Sequence, residues 1–150
     1  MNYRKVMWQW GGAPEQVRRY QQQIKAFRDR QDEYRDISAV NYDGGPKSTA
    51  ISDPTGKKAM KILELMDLYE ETIRQTTVLL NKTCRLMTEV DRILEELPPL
   101  QRKIAYLRYR DGKTWVYITM RLNISDAWAR RLDGMICRTV TEEIEKCSDL

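Results

Sequence analysis

The chain has 150 residues, 32% of them charged, a net charge of +4 and a mean hydropathy of −0.67. A single Phe and a modest share of Val and Ile argue against a β-sandwich and for helices. No apolar run nears the ~20 residues that a membrane-crossing helix needs, and the opening MNYRKVMWQWGG lacks the apolar stretch of a secretory signal.

Histidine is absent, which removes the commonest general base and metal ligand. The three cysteines, Cys84, Cys137 and Cys147, form no CxxC pair, and their odd number suggests neither a disulfide framework nor a zinc site. Reduced thiols in a cytosol are the plain reading, with no cofactor and no metal.

The first predicted helix covers residues 14–35. Val17, Tyr20, Ile24, Phe27 and Tyr34 step by three and four, with Gln31 interrupting the stripe. Gly11-Gly12 precede it, and Pro14 suits its first turn. Periodicity stops over residues 36–56, where Gly, Ser, Asp, Thr and Pro accumulate and a long loop is expected. Ser52 or Asp53 before Pro54 is a helix start.

The clearest element follows. Ile62, Met66, Tyr69, Ile73, Thr76, Leu80, Thr83, Met87, Val90, Leu94 and Leu97 form a heptad seam that Leu65, Leu79, Leu86 and Ile93 widen. The two seam threonines, Thr76 and Thr83, weaken an isolated coiled coil; the seam is either a dimerisation surface or, the favoured reading, the inner face of a hairpin with the first helix, which the loop over residues 36–56 is long enough to allow.

Pro98-Pro99 end this helix. A helix over residues 100–109 places Leu100, Ile104 and Leu107 on one face, and Asp111-Gly112 make a turn. Thr114 caps a short helix to Leu122, Asn123 supplies a positive φ, and Ser125 caps the last helix. That helix turns Ala129, Leu132, Ile136, Val140 and Ile144 inward and holds Gly134 in its interior, at a cost of about 1 kcal/mol relative to Ala. The turn lengths, the internal positions Ile118, Leu122, Ile124, Ala129 and Leu132, and the small Thr119 have the spacing of a helix-turn-helix.

Charge gathers on the same segment. Residues 101–140 contain nine bases (Arg102, Lys103, Arg108, Arg110, Lys113, Arg121, Arg130, Arg131 and Arg138) against Asp111, Asp126 and Asp133, a net +6. Residues 141–150 are acidic, with Glu142, Glu143, Glu145 and Asp149 against Lys146. A concentrated cationic stretch on a helix-turn-helix is the footprint of a phosphate backbone.

The stretch from Leu97 to Ile136 resembles region four of bacterial sigma factors. Leu97-Pro98 open it, Arg108-Tyr109 end its first helix, Gly112 makes the turn, and an Ile-containing short helix leads to the recognition helix. Upstream, GGPKSTAISDPTGKKAMKILEL with Ser52-Asp53-Pro54 and a long helix resembles ArpU/RinA-type phage and prophage transcriptional regulators. The resemblance implies an all-α chain, with a long helical hairpin over residues 1–97 and a sigma-like helix-turn-helix over residues 98–150. It implies an activator of late phage genes for packaging or lysis, working in the cytoplasm of a Gram-positive host. Asn123 in place of the usual turn glycine, and Gly134 inside the last helix, depart from the pattern.

Carried onto this chain, the resemblance exposes Asp126, Ala127, Trp128, Arg130 and Arg131 on a recognition helix capped by Ser125. Lys113, Thr114 and Arg121 would hold phosphates. Arg130 and Arg131 suit groove contacts, because Arg pairs bidentately with guanine O6 and N7. Asp126 either accepts from a cytosine amino group or stabilises the helix N-terminus. Trp128 either touches a thymine methyl or packs on Trp115 or Tyr117. The aromatic pairs Trp8/Trp10 and Tyr106/Tyr109 read as core or interface anchors. Glu70-Glu71, Glu95-Glu96 and Glu142-Glu143 read as solvated faces, and Lys57-Lys58 lacks the glycines of a phosphate loop.

The expected partner is double-stranded DNA, with RNA polymerase and a second copy of the chain as further candidates. The rival readings are an RNA polymerase-binding interaction module and a small terminase subunit. An enzyme is not expected, since nothing assembles a nucleophile, a base and an oxyanion site.

Overall fold

The computed structural model describes residues 2–40 and 54–148. Among them no strand occurs, and the elements are α1 (Tyr3–Val40), α2 (Pro54–Glu96), α3 (Pro99–Ala105), α4 (Trp115–Leu122) and α5 (Asp126–Ser148). One π turn, Tyr106–Arg110, continues α3 and closes with Asp111 N–H donating to Tyr106 O at 2.8 Å. The all-α architecture and the pairing of α1 with α2 as a hairpin agree with the sequence.

The chain divides into two compact units. Arg18–Asn81 is one, and Met1–Val17 with Lys82–Leu150 is the other. In the first unit, Ile24, Ile73 and Thr76 are buried, and the Thr76 hydroxyl donates to Thr72 O within its own helix. Gln31, which interrupts the apolar stripe, is buried too. Its amide donates to Met66 O at 3.3 Å and to Glu70 Oε2 at 3.0 Å, so its polarity is satisfied across the hairpin. Tyr69 meets both Phe27 and Tyr34 with its ring. The eleven seam positions are each buried or half-buried, and of the four expected to widen the seam Leu65, Leu86 and Ile93 are too, while Leu79 is 47% exposed.

In the second unit, one core joins Met7 and Trp10 of α1, Val90, Ile93 and Leu94 of α2, Ile104, Ala105 and Tyr109 after the double proline, Ile118 of α4, and Leu132, Ile136, Cys137 and Val140 of α5. Residues 98–150 therefore share their core with both long helices.

The N-terminal boundary differs from the sequence expectation. The helix expected from Pro14 begins at Tyr3, with Gly11, Gly12 and Pro14 inside it. Met7, Trp10 and Ala13, one face of this extra stretch, are buried, and that burial outweighs the local breaking signals. Gly11 is a contact point, because a β-carbon there would overlap the Tyr109 carbonyl. Pro14 has no N–H for the Trp10 carbonyl four residues earlier. Arg110 Nη2 donates to that carbonyl instead, at 3.4 Å.

The loop expected over residues 36–56, with its caps Ser52 and Asp53, falls mostly outside the described residues. Residues 36–40 are helical, and α2 begins at Pro54, as a first-turn proline should. The seam helix ends at Glu96, before the two prolines.

Candidate nucleic-acid interface

Two helices and a three-residue turn build the site. Thr114 caps α4, its hydroxyl accepting from Tyr117 N–H at 3.2 Å. Asn123 ends α4 in the left-handed region at φ 54°, and its N–H reaches Thr119 O. An asparagine tolerates this conformation better than most residues, so the turn forms without a glycine. Ser125 Oγ then accepts from Trp128 N–H at 3.1 Å and starts α5. Ile118, Ala129 and Leu132 are buried between the two helices, while Leu122 and Ile124 are partly buried at the edge. Burial on one stripe fixes what remains outside.

The residues named from sequence lie on that outer surface. Lys113, Thr114, Arg121, Ser125, Asp126, Ala127, Trp128, Arg130 and Arg131 are all exposed. Asp126 accepts from Arg130 Nε at 2.9 Å, one turn along α5. It therefore both lies at the helix N-terminus and pairs with a cation. Trp128 is 42% exposed, and its charged neighbour is Arg131, whose guanidinium lies 6.0 Å from the ring centroid. Of the two alternatives for Trp128, the ring pairing with Trp115 or Tyr117 is not found among the described residues; Trp115 meets Arg108 and Arg130, and Tyr117 meets Lys113.

Two charges counted in the basic segment point elsewhere. Asp133 is buried, with Oδ1 accepting from the Tyr109 hydroxyl at 2.6 Å and Oδ2 lying 3.7 Å from Arg4 Nε. It does not screen the outer face of α5. Arg110 also turns inward. Its guanidinium lies 4.2 Å from the Trp10 ring centroid and 4.0 Å from Asp91, which itself accepts from Trp10 Nε1 at 2.8 Å.

Residue spacing did not reveal how Arg108 and Trp115 connect these elements. Arg108 lies 4.9 Å from the Trp115 ring and 5.5 Å from the Trp8 ring, and its Nη1 donates to Lys113 O at 3.1 Å. The π turn supplies Arg108, Tyr109 and Arg110 in succession, and each makes a different contact. An extra residue in the helical repeat re-aims side chains in this way. The only prior signal was the density of aromatic and arginine residues in Tyr106–Arg110.

Trp8 and Tyr106 of the aromatic pairs are partly exposed, while Trp10 and Tyr109 are core residues. The pairs stack edge to face as Trp8–Tyr109 and Trp10–Tyr106. The three cysteines are free. Among the described residues, no helix is long and apolar enough to cross a membrane. Compared with family models, with curated proteins and with solved structures, the chain gives no match.

Proposed function

We propose that this protein is a sequence-specific, double-stranded-DNA-binding regulator of transcription, with α5 as the reading helix. The observation that carries the reading is the outward set on α4 and α5. Arg121, Arg130 and Arg131 stand exposed around a capped turn, while Ala129 and Leu132 anchor the same helices from beneath. An α-helix with cations on its outer face fits the major groove, where Arg reads guanine. Lys113 and Thr114, at the start of α4, are suited to phosphates, which fix register without reading sequence. Of the phage regulators that the sequence resembles, an activator of late packaging or lysis genes is the corresponding biological role, in a bacterial cytoplasm.

The test is selection from a randomised duplex pool, followed by affinity measurements on the enriched sequence across a salt series. Enrichment of one motif, with affinity falling steeply as salt rises, supports the reading. An unenriched pool contradicts it.

A second reading draws on α4. Val116 is 69% exposed and Met120 78%, one turn apart on the outer face between Lys113 and Arg121. Large apolar side chains so exposed suit a protein partner better than a phosphate ridge. RNA polymerase is the natural candidate for a regulator, and binding to it without DNA binding would favour an interaction module. The exposed Met60, Leu63 and Leu68 of α2 offer a separate surface for a second copy. A ring-sized mass in solution would favour the terminase alternative.

A further inference from the structure

We propose that Trp115 is a positioning residue that holds Arg130 in its reading pose, an inference that rests on the DNA-binding assignment above. Trp115 is the first residue of α4, and Arg130 belongs to the second turn of α5. The Arg130 guanidinium lies 5.5 Å from the Trp115 ring centroid, and its Nε donates to Asp126 Oδ2 at 2.9 Å. These two contacts engage the guanidinium without using its Nη fork, the part that pairs bidentately with guanine.

Trp115 is itself held. Arg108 lies 4.9 Å from its ring, bridges to the Trp8 ring, and ties down the Lys113 carbonyl two residues before it. The indole is half-buried, with the core of this unit beneath it. It therefore acts as a fixed plate, whereas Arg130 alone is a long side chain with many rotamers. A guanidinium ordered before binding loses less freedom on contact, so discrimination between bases sharpens. Position 115 then affects specificity without touching a base.

The experiment compares wild type, Trp115→Leu, Trp115→Phe, Arg130→Ala and the Trp115→Leu/Arg130→Ala double variant. Each is checked for helix content and melting and then taken through the randomised-duplex selection. Leu keeps apolar bulk without a π face, and Phe keeps a π face. The expected result is a roughly two- to tenfold loss of discrimination for Trp115→Leu, at the same base positions that Arg130→Ala relaxes. The salt slope stays unchanged, Trp115→Phe retains the preference, and the double variant matches Arg130→Ala alone. A Trp115→Leu profile equal to wild type overturns the proposal. So does a loss spread evenly over all sequences, or one that adds to that of Arg130→Ala. Should Trp115→Leu fail to fold, the Arg130 Nε–Hε order parameter of a free Asp126→Ala variant, which lacks the carboxylate contact and keeps Trp115, decides the matter. Backbone-like rigidity supports the proposal and free motion overturns it. A wild-type protein that enriches no duplex removes the DNA assignment itself, and this inference with it.

Discussion

Arg110 donates to the carbonyl oxygen of Trp10 at 3.4 Å and lays its guanidinium 4.2 Å from the ring of the same residue. The carbonyl is available because Pro14 cannot supply the helical N–H. One side chain from the π turn thus repairs a break in a helix that lies far away in sequence. Arg110→Ala removes the hydrogen bond, the ring contact and the ion pair with Asp91 together. It should cost about 1.5–3 kcal/mol in denaturant unfolding, the sum of one hydrogen bond and one partly desolvated cation–π contact. A loss within about 0.5 kcal/mol, the usual range for surface substitutions, would refute the clamp.

The buried Tyr109–Asp133 contact makes a second prediction. Tyr109→Phe keeps the ring but leaves the Asp133 carboxylate without its 2.6 Å donor. Only the weak Cys137 thiol, 3.7 Å away, would still donate to that oxygen, and a buried acceptor so poorly satisfied costs about 1–3 kcal/mol in denaturant unfolding. Arg4 offsets little of this, because it is 63% exposed and 3.7 Å away.

The same cluster sets an alkaline limit on stability. Burial, then the hydrogen bond to Asp133, pushes the Tyr109 phenol well above its ordinary 10.0. Burial likewise pushes the Cys137 thiol from 9.0 up to about 11. Both groups hold their protons more tightly in the folded state, so their contribution is complete below the unfolded values and is lost as pH rises through the folded ones. Denaturation midpoints should hold steady from neutrality to about pH 9, the ordinary thiol value, then fall towards about 11. In Cys137→Ala the decline should start later, near the phenol's ordinary 10.0. A curve flat to pH 11 in wild type would contradict the assigned burial.

Two glycines should respond oppositely to alanine. Gly134 is exposed on α5 with open space where a β-carbon would stand. Gly134→Ala should raise stability by about 0.5–1 kcal/mol. Gly11→Ala forces the Tyr109 backbone away and should destabilise by several times that amount, as overpacking a tight contact does. Thermal melts of the two variants check both signs.

At the interface, Arg131→Ala should relax base preference at one position and cost about 1–3 kcal/mol on the preferred duplex. Lys113→Ala should weaken every sequence alike and lower the salt slope by about one unit. If the two variants exchange these behaviours, the register proposed for α5 in a major groove is wrong.

The sequence made the periodic parts of this fold legible. The α2 seam repeats every seven residues over most of a helix, and caps at Thr114 and Ser125 announce themselves through side-chain chemistry. The exposed set on α5 followed from the same periodicity, since Ala129, Leu132 and Ile136 define the opposite face. What was not legible depends on distant partners. Gly11-Gly12 and Pro14 read locally as a helix start, and only Tyr109 and Arg110 explain why the helix runs through them. The inward turn of Arg110, the burial of Asp133 and the Arg108–Trp115–Arg130 ladder arise from tertiary packing that residue spacing does not encode.

The most direct measurement is equilibrium binding of the full chain to its selection-enriched duplex and to a scrambled one, over a range of salt concentrations. Sequence-specific recognition by α5 requires the enriched duplex to bind at least about a thousandfold more tightly, the low end for specific DNA recognition, with both affinities declining linearly on a log–log salt plot. Equal affinity for the two duplexes, or binding indifferent to salt, would contradict it.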